Sequence, residues 1–204
     1  MTITAAMVKE LRDRTGLGMM DCKKALVEAD GDMELAIEEL RKKSVLKAAK
    51  KSGRITANGL LGLKTSEDLS RAAIVEINIE TDFAAKNEKF ISFVSKVADA
   101  VYNSEEDLTA LMKSGLDEER ETLVQEIGEN ISVRRAERLS APKGGCVAAY
   151  LHSDNLKGCL VALDSRKLDL GRDIAMHITA INPMVIRSED ISEDTINKER
   201  EIYL

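Results

Sequence analysis

The residues of widest chemical range in this sequence are two histidines, His152 and His177, and three cysteines, Cys22, Cys146 and Cys159. Cys146, Cys159 and His152 would be the set for a thiol- or metal-dependent enzyme. Their spacings match no C-x-x-C or H-x-x-x-H arrangement, so they form a poor zinc set. No G-x-x-x-x-G-K-[ST] or G-x-G-x-x-G run is present to cradle a nucleotide, and Lys143-Gly144-Gly145 reads as an ordinary turn. His177 lies with Ile174 and Ile178 at helical spacing and reads as structural, whereas His152 falls at a turn and reads as exposed. No catalytic residue, cofactor or metal is expected, and the remaining chemistry is that of contact.

Two runs carry that chemistry. In Arg12-Asp13-Arg14-Thr15-Gly16-Leu17-Gly18-Met19-Met20-Asp21, two glycines bracket a bend and two methionines follow. Both cannot easily enter one small core. At least one is expected at the surface, where a flexible thioether suits an adaptable protein contact; the alternative is that both fold back as gap-fillers. In Thr81-Asp82-Phe83-Ala84-Ala85-Lys86, a strand gives way to a helix. Spacing leans to a plain reading in which Asp82 or Thr81 caps the helix and Phe83 packs underneath. The other reading is an exposed acid-and-aromatic tip that wedges into a partner.

The elements that must hold these runs follow from periodicity. Residues 1–45 read as three short helices. Thr4 caps the first, which carries Met7, Val8 and Leu11 and ends at Gly16. The second starts near Met20 or Asp21 and shows Cys22, Ala25, Leu26 and Ala29. Asp32 caps the third, with Met33, Ala36, Ile37 and Leu40 on one stripe. So small a unit has marginal stability alone. Residues 41–54 hold seven cations and no acid, read as a solvated helical linker or as a patch facing RNA or the ribosome.

Beyond residue 58 the period shifts to that of strands. Gly59–Leu63 and Ala72–Asn78 read as a hairpin, Phe83–Tyr102 as a helix with Phe90, Val94, Val97 and Val101 on one face, 105–113 and 117–127 as further helix, and Ile131–Arg135 as a third strand. Strand 146–151, turn 153–155, strand 159–163 and helix 173–180 then repeat the scheme, with Leu156 in the place of Leu69. The repeat has no counterpart to the third strand before a charged helix from Glu193. An unpaired edge is expected there, either because the chain is the N-terminal portion of a longer protein or because a partner supplies the strand.

Composition fits this reading. Of 204 residues, 44% are apolar but only 3% aromatic, so the core is aliphatic; 32% are charged. A net charge of −6 argues against phosphate-backbone binding as the main task. No apolar run nears bilayer length, no leader is visible, and three unmatched cysteines fit a reducing cytoplasm.

The run Leu11 to Leu26 resembles the N-terminal signature of the bacterial translation elongation factor Ts family. Glu80-Thr81-Asp82-Phe83-Ala84-Ala85-Lys86-Asn87 resembles its second signature, and Ile127-Gly128-Glu129-Asn130-Ile131 with Arg134-Arg135 resembles a third. The resemblance implies an α+β protein. A ubiquitin-associated-like three-helix domain (1–45) and a basic helical linker (46–58) would lead into a core of antiparallel sheet plus helix, as an N-terminal subdomain (59–140) and an incomplete second subdomain (141–204) reaching the start of a helical hairpin. It implies a guanine nucleotide exchange factor whose partner is elongation factor Tu, GDP-bound and nucleotide-free, with no direct nucleic-acid or membrane contact. On it, Thr81, Asp82, Phe83 and Ala84 disturb the partner's Mg²⁺ site, and Lys9, Arg12, Met19, Met20, Ile127, Gly128 and His152 make further contacts. The alternative function is a ribosome- or RNA-associated protein using residues 41–54.

Overall fold

The computed structural model describes residues 2–203, and within them the fold is α+β. Three helices come first: α1 (Ala5–Thr15), α2 (Met19–Glu28) and α3 (Met33–Lys51). Thr4 Oγ1 accepts from Met7 N and Asp32 Oδ1 from Glu34 N and Leu35 N, so both expected caps form. Val8, Leu11, Cys22, Ala25, Leu26, Ala36 and Leu40 close a small core.

The basic stretch is a continuation of α3 with a packed face. Leu40, Ser44 and Ala48 recur at i, i+4 and are all buried. Leu40 belongs to the three-helix core while Ala48 belongs to the core of the following sheet, so one helix serves both. It packs on α7 (Asp117–Ile127), where Ser44 Oγ bonds the Gln125 side chain. Lys51 Nζ donates to Gly128 O (2.6 Å) and to Val124 O (3.4 Å), which also accepts from Gly128 N, so the ammonium reinforces the capped end of α7. Burial, with Arg54 nearby, holds this ammonium below its ordinary pKa.

Strands β1 (Asn58–Thr65), β2 (Arg71–Ile79) and β3 (Ile131–Ser140) form an antiparallel sheet with β2 central. β3 runs five residues past the expected Arg135. Its outer half, Ala136-Glu137-Arg138-Leu139-Ser140, sets two charges side by side and carries little hydrophobic signal. A bulge opposite Glu76/Ile77 leaves Arg134 unpaired in the ladder. Consecutive residues of a strand normally face opposite sides, but the bulge lets Arg134 (3.0 Å) and Arg135 (2.6 Å) both reach Glu76. Burial raises the Glu76 carboxyl, and the two guanidiniums outweigh it, leaving its pKa below the ordinary value.

The helix expected over 83–102 is broken. A short α4 (Asp82–Ala85) ends at Lys86, and Asn87 recaps the chain for α5 (Glu88–Asn103) by accepting from Lys89 N. Phe90, Phe93, Val94, Val97 and Val101 of α5 are buried against β1 and β2. A short α6 (Leu108–Leu111) meets α7 through a π turn at Met112–Leu116, where Gly115 has φ 116°.

The second hairpin, β4 (Cys146–Leu151) and β5 (Gly158–Leu163), carries α8 (Leu168–Ile181) across it, and α9 (Glu193–Tyr203) follows. One constant offset maps it on the first. Ser66 N donates to Arg71 O as His152 N does to Lys157 O, and Asp68 accepts from Ser70 N as Asp154 does from Leu156 N. The equivalent of Leu69 is therefore Asn155, not the expected Leu156: these two share the left-handed position, with φ 61° and 57°. The glycines opening the two hairpins match as well. A Cβ on Gly59 would overlap Ile77 O, and one on Gly145 would overlap Leu163 O. Each turn also closes on the other hairpin: Val147 N donates to Leu69 O and Leu61 N to Asn155 O, both at 2.7 Å.

Candidate functional site: an exposed aromatic tip and its support

Thr81 leaves β2 in extended conformation and caps α4. Its Oγ1 accepts from Ala84 N at 3.2 Å. Ala84 and Ala85 turn inward and join the sheet core. Ala84 thus completes the turn without offering its methyl group outward. With the alanines inside, the next face of this single turn points out, and Phe83 is 82% exposed. The plain reading that packs Phe83 beneath its helix is overturned. Phe90 and Phe93 fill the space under α5, and α4 has too few residues to cover a third ring. Lys86 Nζ is 3.1 Å from Asp82 Oδ2 and 5.6 Å from the centre of the Phe83 ring. The tip thus presents a ring, a carboxylate and an ammonium together.

The tip is held from segment 126–130. The Glu129 carboxylate accepts from Thr81 N (2.9 Å) and Thr81 Oγ1 (2.7 Å). In the reverse direction, Asn130 N donates to Glu80 Oε1 at 2.6 Å. Each segment lends a carboxylate to the other's backbone. Asn130, almost fully buried, also donates to Ser52 O (3.3 Å) and Arg54 O (3.0 Å), tying in the end of α3. Glu126, two residues before the exposed Gly128, pairs with Lys89 at 2.6 Å. It also lies so close to Gly16 that a Cβ there would overlap its carboxylate.

The two contact runs therefore both meet segment 126–130, which overlaps the third signature. Met19 (59% exposed) and Met20 (74%) follow the Gly16 bend at the start of α2, and the reading that both plug the core is overturned. Leu17, buried, fills that place instead. Lys9 and Arg12 are exposed on α1; Gly128 is exposed and Ile127 half-buried. His152 stands apart from this convergence. It is exposed at the second turn, with Tyr150 Oη 2.9 Å from its Nδ1. His177, read as structural, is exposed on α8, whose packed residues are Gly171 and Ala175.

The supporting residues Glu80, Glu129 and Asn130 were missed as functional in the sequence, where they read only as parts of a motif. The one available signal was that each run sets a Glu directly before a residue of capping type, Glu80 before Thr81 and Glu129 before Asn130.

Thiol chemistry finds no geometry. Cys146 pairs opposite Leu163 and Cys159 opposite Tyr150, at different ends of the hairpin, and burial raises the Cys159 thiol. Among the described residues no three His, Cys, Asp or Glu side chains are placed to share a metal ion, and no helix is long and apolar enough to cross a membrane. In the basic stretch, Lys42 pairs with Glu38 and Glu39, Lys43 with Glu28, Lys47 with Asp21 and Arg54 with Glu80. Local carboxylates thus already answer much of its charge.

Residues 80–204 match the family described as Elongation factor TS. Curated relatives named Elongation factor Ts align over nearly the whole chain. That of Hahella chejuensis is 55% identical over 98% of this chain and 70% of its own length. Those of Marinobacter nauticus (51%, covering 98% and 68%) and Saccharophagus degradans (49%, covering 99% and 70%) follow the same pattern. The chain belongs to the elongation factor Ts family. Membership makes it a translation elongation factor, and the relatives are longer than the chain. The family match opens at Glu80, at the base of the tip, and takes in 126–130; the three-helix unit is covered by the relatives alone.

Proposed function

We propose that the chain is a nucleotide exchange factor for elongation factor Tu and acts in the cytoplasm without catalytic chemistry of its own. It binds the GDP-bound and nucleotide-free forms of that GTPase and promotes GDP release. The exposed ring of Phe83 on a turn pinned by Thr81 and Glu129 is the observation that carries this reading. Phe83 enters the partner beside its Mg²⁺ and phosphate site and holds elements apart by bulk. Asp82, freed from Lys86, disturbs the polar network around the metal. An exposed ion pair is worth little, so its release hinders docking weakly. Met19 and Met20, with Lys9 and Arg12, grip the GTPase from the three-helix unit. Ile127 and Gly128 give a flat contact beside the tip, and His152 touches from the second turn.

Exchange of this kind is linkage. A factor that binds the nucleotide-free state more tightly than the GDP state weakens GDP by the same ratio. Nothing in it requires a nucleophile, a cofactor or a metal on this chain. The direct test is release of a fluorescent GDP analogue from elongation factor Tu with excess unlabelled GDP. Release should quicken in proportion to added chain until the complex saturates. Release at the spontaneous rate with saturating, folded chain overturns the reading.

A further inference from the structure

The geometry points to Glu129 as a positioning residue that sets the tip, acting through Thr81 and making no contact with the partner. This inference rests on the exchange reading of Phe83. A threonine hydroxyl has one proton to give and lone pairs to receive. Here the proton goes to Glu129 Oε1 at 2.7 Å, which turns a lone pair of Oγ1 inward to accept Ala84 N at 3.2 Å. The second carboxylate oxygen accepts Thr81 N at 2.9 Å. A carboxylate can only accept, so it fixes the direction of both bonds. Bonds to a charged acceptor are among the stronger ones a protein makes.

The placement explains why a four-residue helix persists. One turn this short does not sustain itself, since nucleation is unfavourable and few internal bonds form. Lys86 N bonds Phe83 O and Ala85 N bonds Thr81 O, so the whole turn depends on where Thr81 stands. Glu129 is well placed to set it, because its own backbone is anchored on both sides. Gly128 O accepts from Lys51, and Asn130 is nearly buried and bonded to Ser52, Arg54 and Glu80. The tip's direction is thus referred to α3 and α7.

The test uses the full chain with Glu129→Ala, Glu129→Gln, Phe83→Ala and the Glu129→Ala/Phe83→Ala pair. Amide hydrogen exchange at Thr81 and Ala84, read by NMR in the free chain, should accelerate roughly tenfold or more in Glu129→Ala. Glu129→Gln keeps one accepting oxygen and should fall between that variant and the parent. Stimulated GDP release should drop by roughly tenfold in Glu129→Ala. It should drop no further when that change is added to Phe83→Ala, because the lost bonds act through the ring's placement. Unchanged amide exchange at both positions overturns the inference. So does a full independent loss on top of Phe83→Ala, which would put Glu129 in contact with the partner. If Phe83→Ala alone stimulates release normally, the exchange reading of the tip falls, and the amide measurement still decides whether Glu129 holds it. Should Glu129→Ala fail to fold, the graded response of Glu129→Gln decides.

Discussion

Replacing Phe83 with alanine should separate folding from exchange. The ring is 82% exposed, and its contact within the chain is Lys86 at 5.6 Å from its centre. An exposed cation–π contact contributes about 0.5–1 kcal/mol, so unfolding free energy should move by no more than about 1 kcal/mol. Phe90 and Phe93 are 0% and 2% exposed, and cutting either to alanine should cost about 3–5 kcal/mol. Docking reverses the balance. Fully burying a phenylalanine stabilises by about 1.5–3 kcal/mol, and the fraction still exposed leaves roughly 1–2.5 kcal/mol for the partner to gain. That converts to a fall of roughly 5- to 60-fold in stimulated release at subsaturating chain. Urea unfolding of the free variant and fluorescent GDP release from elongation factor Tu read the two quantities. Phe83→Leu should lie between, since bulk does the work. Full stimulation by a folded Phe83→Ala chain refutes the wedge. An unfolding loss of several kcal/mol would mean that the ring serves the fold.

Other substitutions address the frame. Met19→Ala/Met20→Ala should leave thermal unfolding within about 1 kcal/mol of the parent, because both side chains are exposed, while raising the concentration of chain needed for half-maximal release. Lys51→Met removes the donor to Gly128 O and Val124 O and should lower unfolding free energy by about 1–3 kcal/mol, measured in urea. Gly145→Ala sets a methyl group into the Leu163 carbonyl and should loosen both hairpins together, seen as faster amide exchange over β1 and β2 as well as over β4 and β5. Asp68 accepts from Ser70 Oγ and N, with Ser66 beside it, which lowers its carboxyl from 3.8 to about 2. Its charged form favours the fold, so the contribution is complete above 3.8 and is lost as pH falls through about 2. Asp68→Ala should flatten that part of the acid dependence of thermal unfolding.

Much of the frame was legible because periodicity and capping are local. The stripes of α1, α2 and α5, the caps Thr4 and Asp32, and both hairpins follow from side-chain spacing alone. The break at Lys86–Asn87 escaped because Phe83 and Phe90 stand seven residues apart, a helical spacing that spans the polar run Lys86–Lys89; the sign was Asn87, a strong capping residue. The far half of β3 escaped because its bulge shifts alternation by one residue. The packed face of α3 over 44–51 is built from serine, alanine and the stem of a lysine, which carry little hydrophobic contrast against a basic background. For the tip, local pattern was insufficient in principle. Thr-Asp-Phe forms the same cap whether the ring turns in or out, and the outcome depends on what already fills the core beneath. The carboxylates of Glu80 and Glu129 look like solvated charges until chain segments far apart in sequence meet.

The exchanged bonds between Leu61 and Asn155 and between Val147 and Leu69 bind the two hairpins like clasped hands. Neither loop can let go of its neighbour's strand without giving up a main-chain partner of its own. The pair is therefore built to loosen as one cooperative block rather than as two independent modules. Main-chain bonding runs from the far loop, where His152 stands, to Leu61 of β1, and Asn58 of the same strand donates to the Glu80 carbonyl at the foot of the projecting ring. A protein assembled from a doubled half thus gains a mechanical path between two ends that its primary structure keeps far apart.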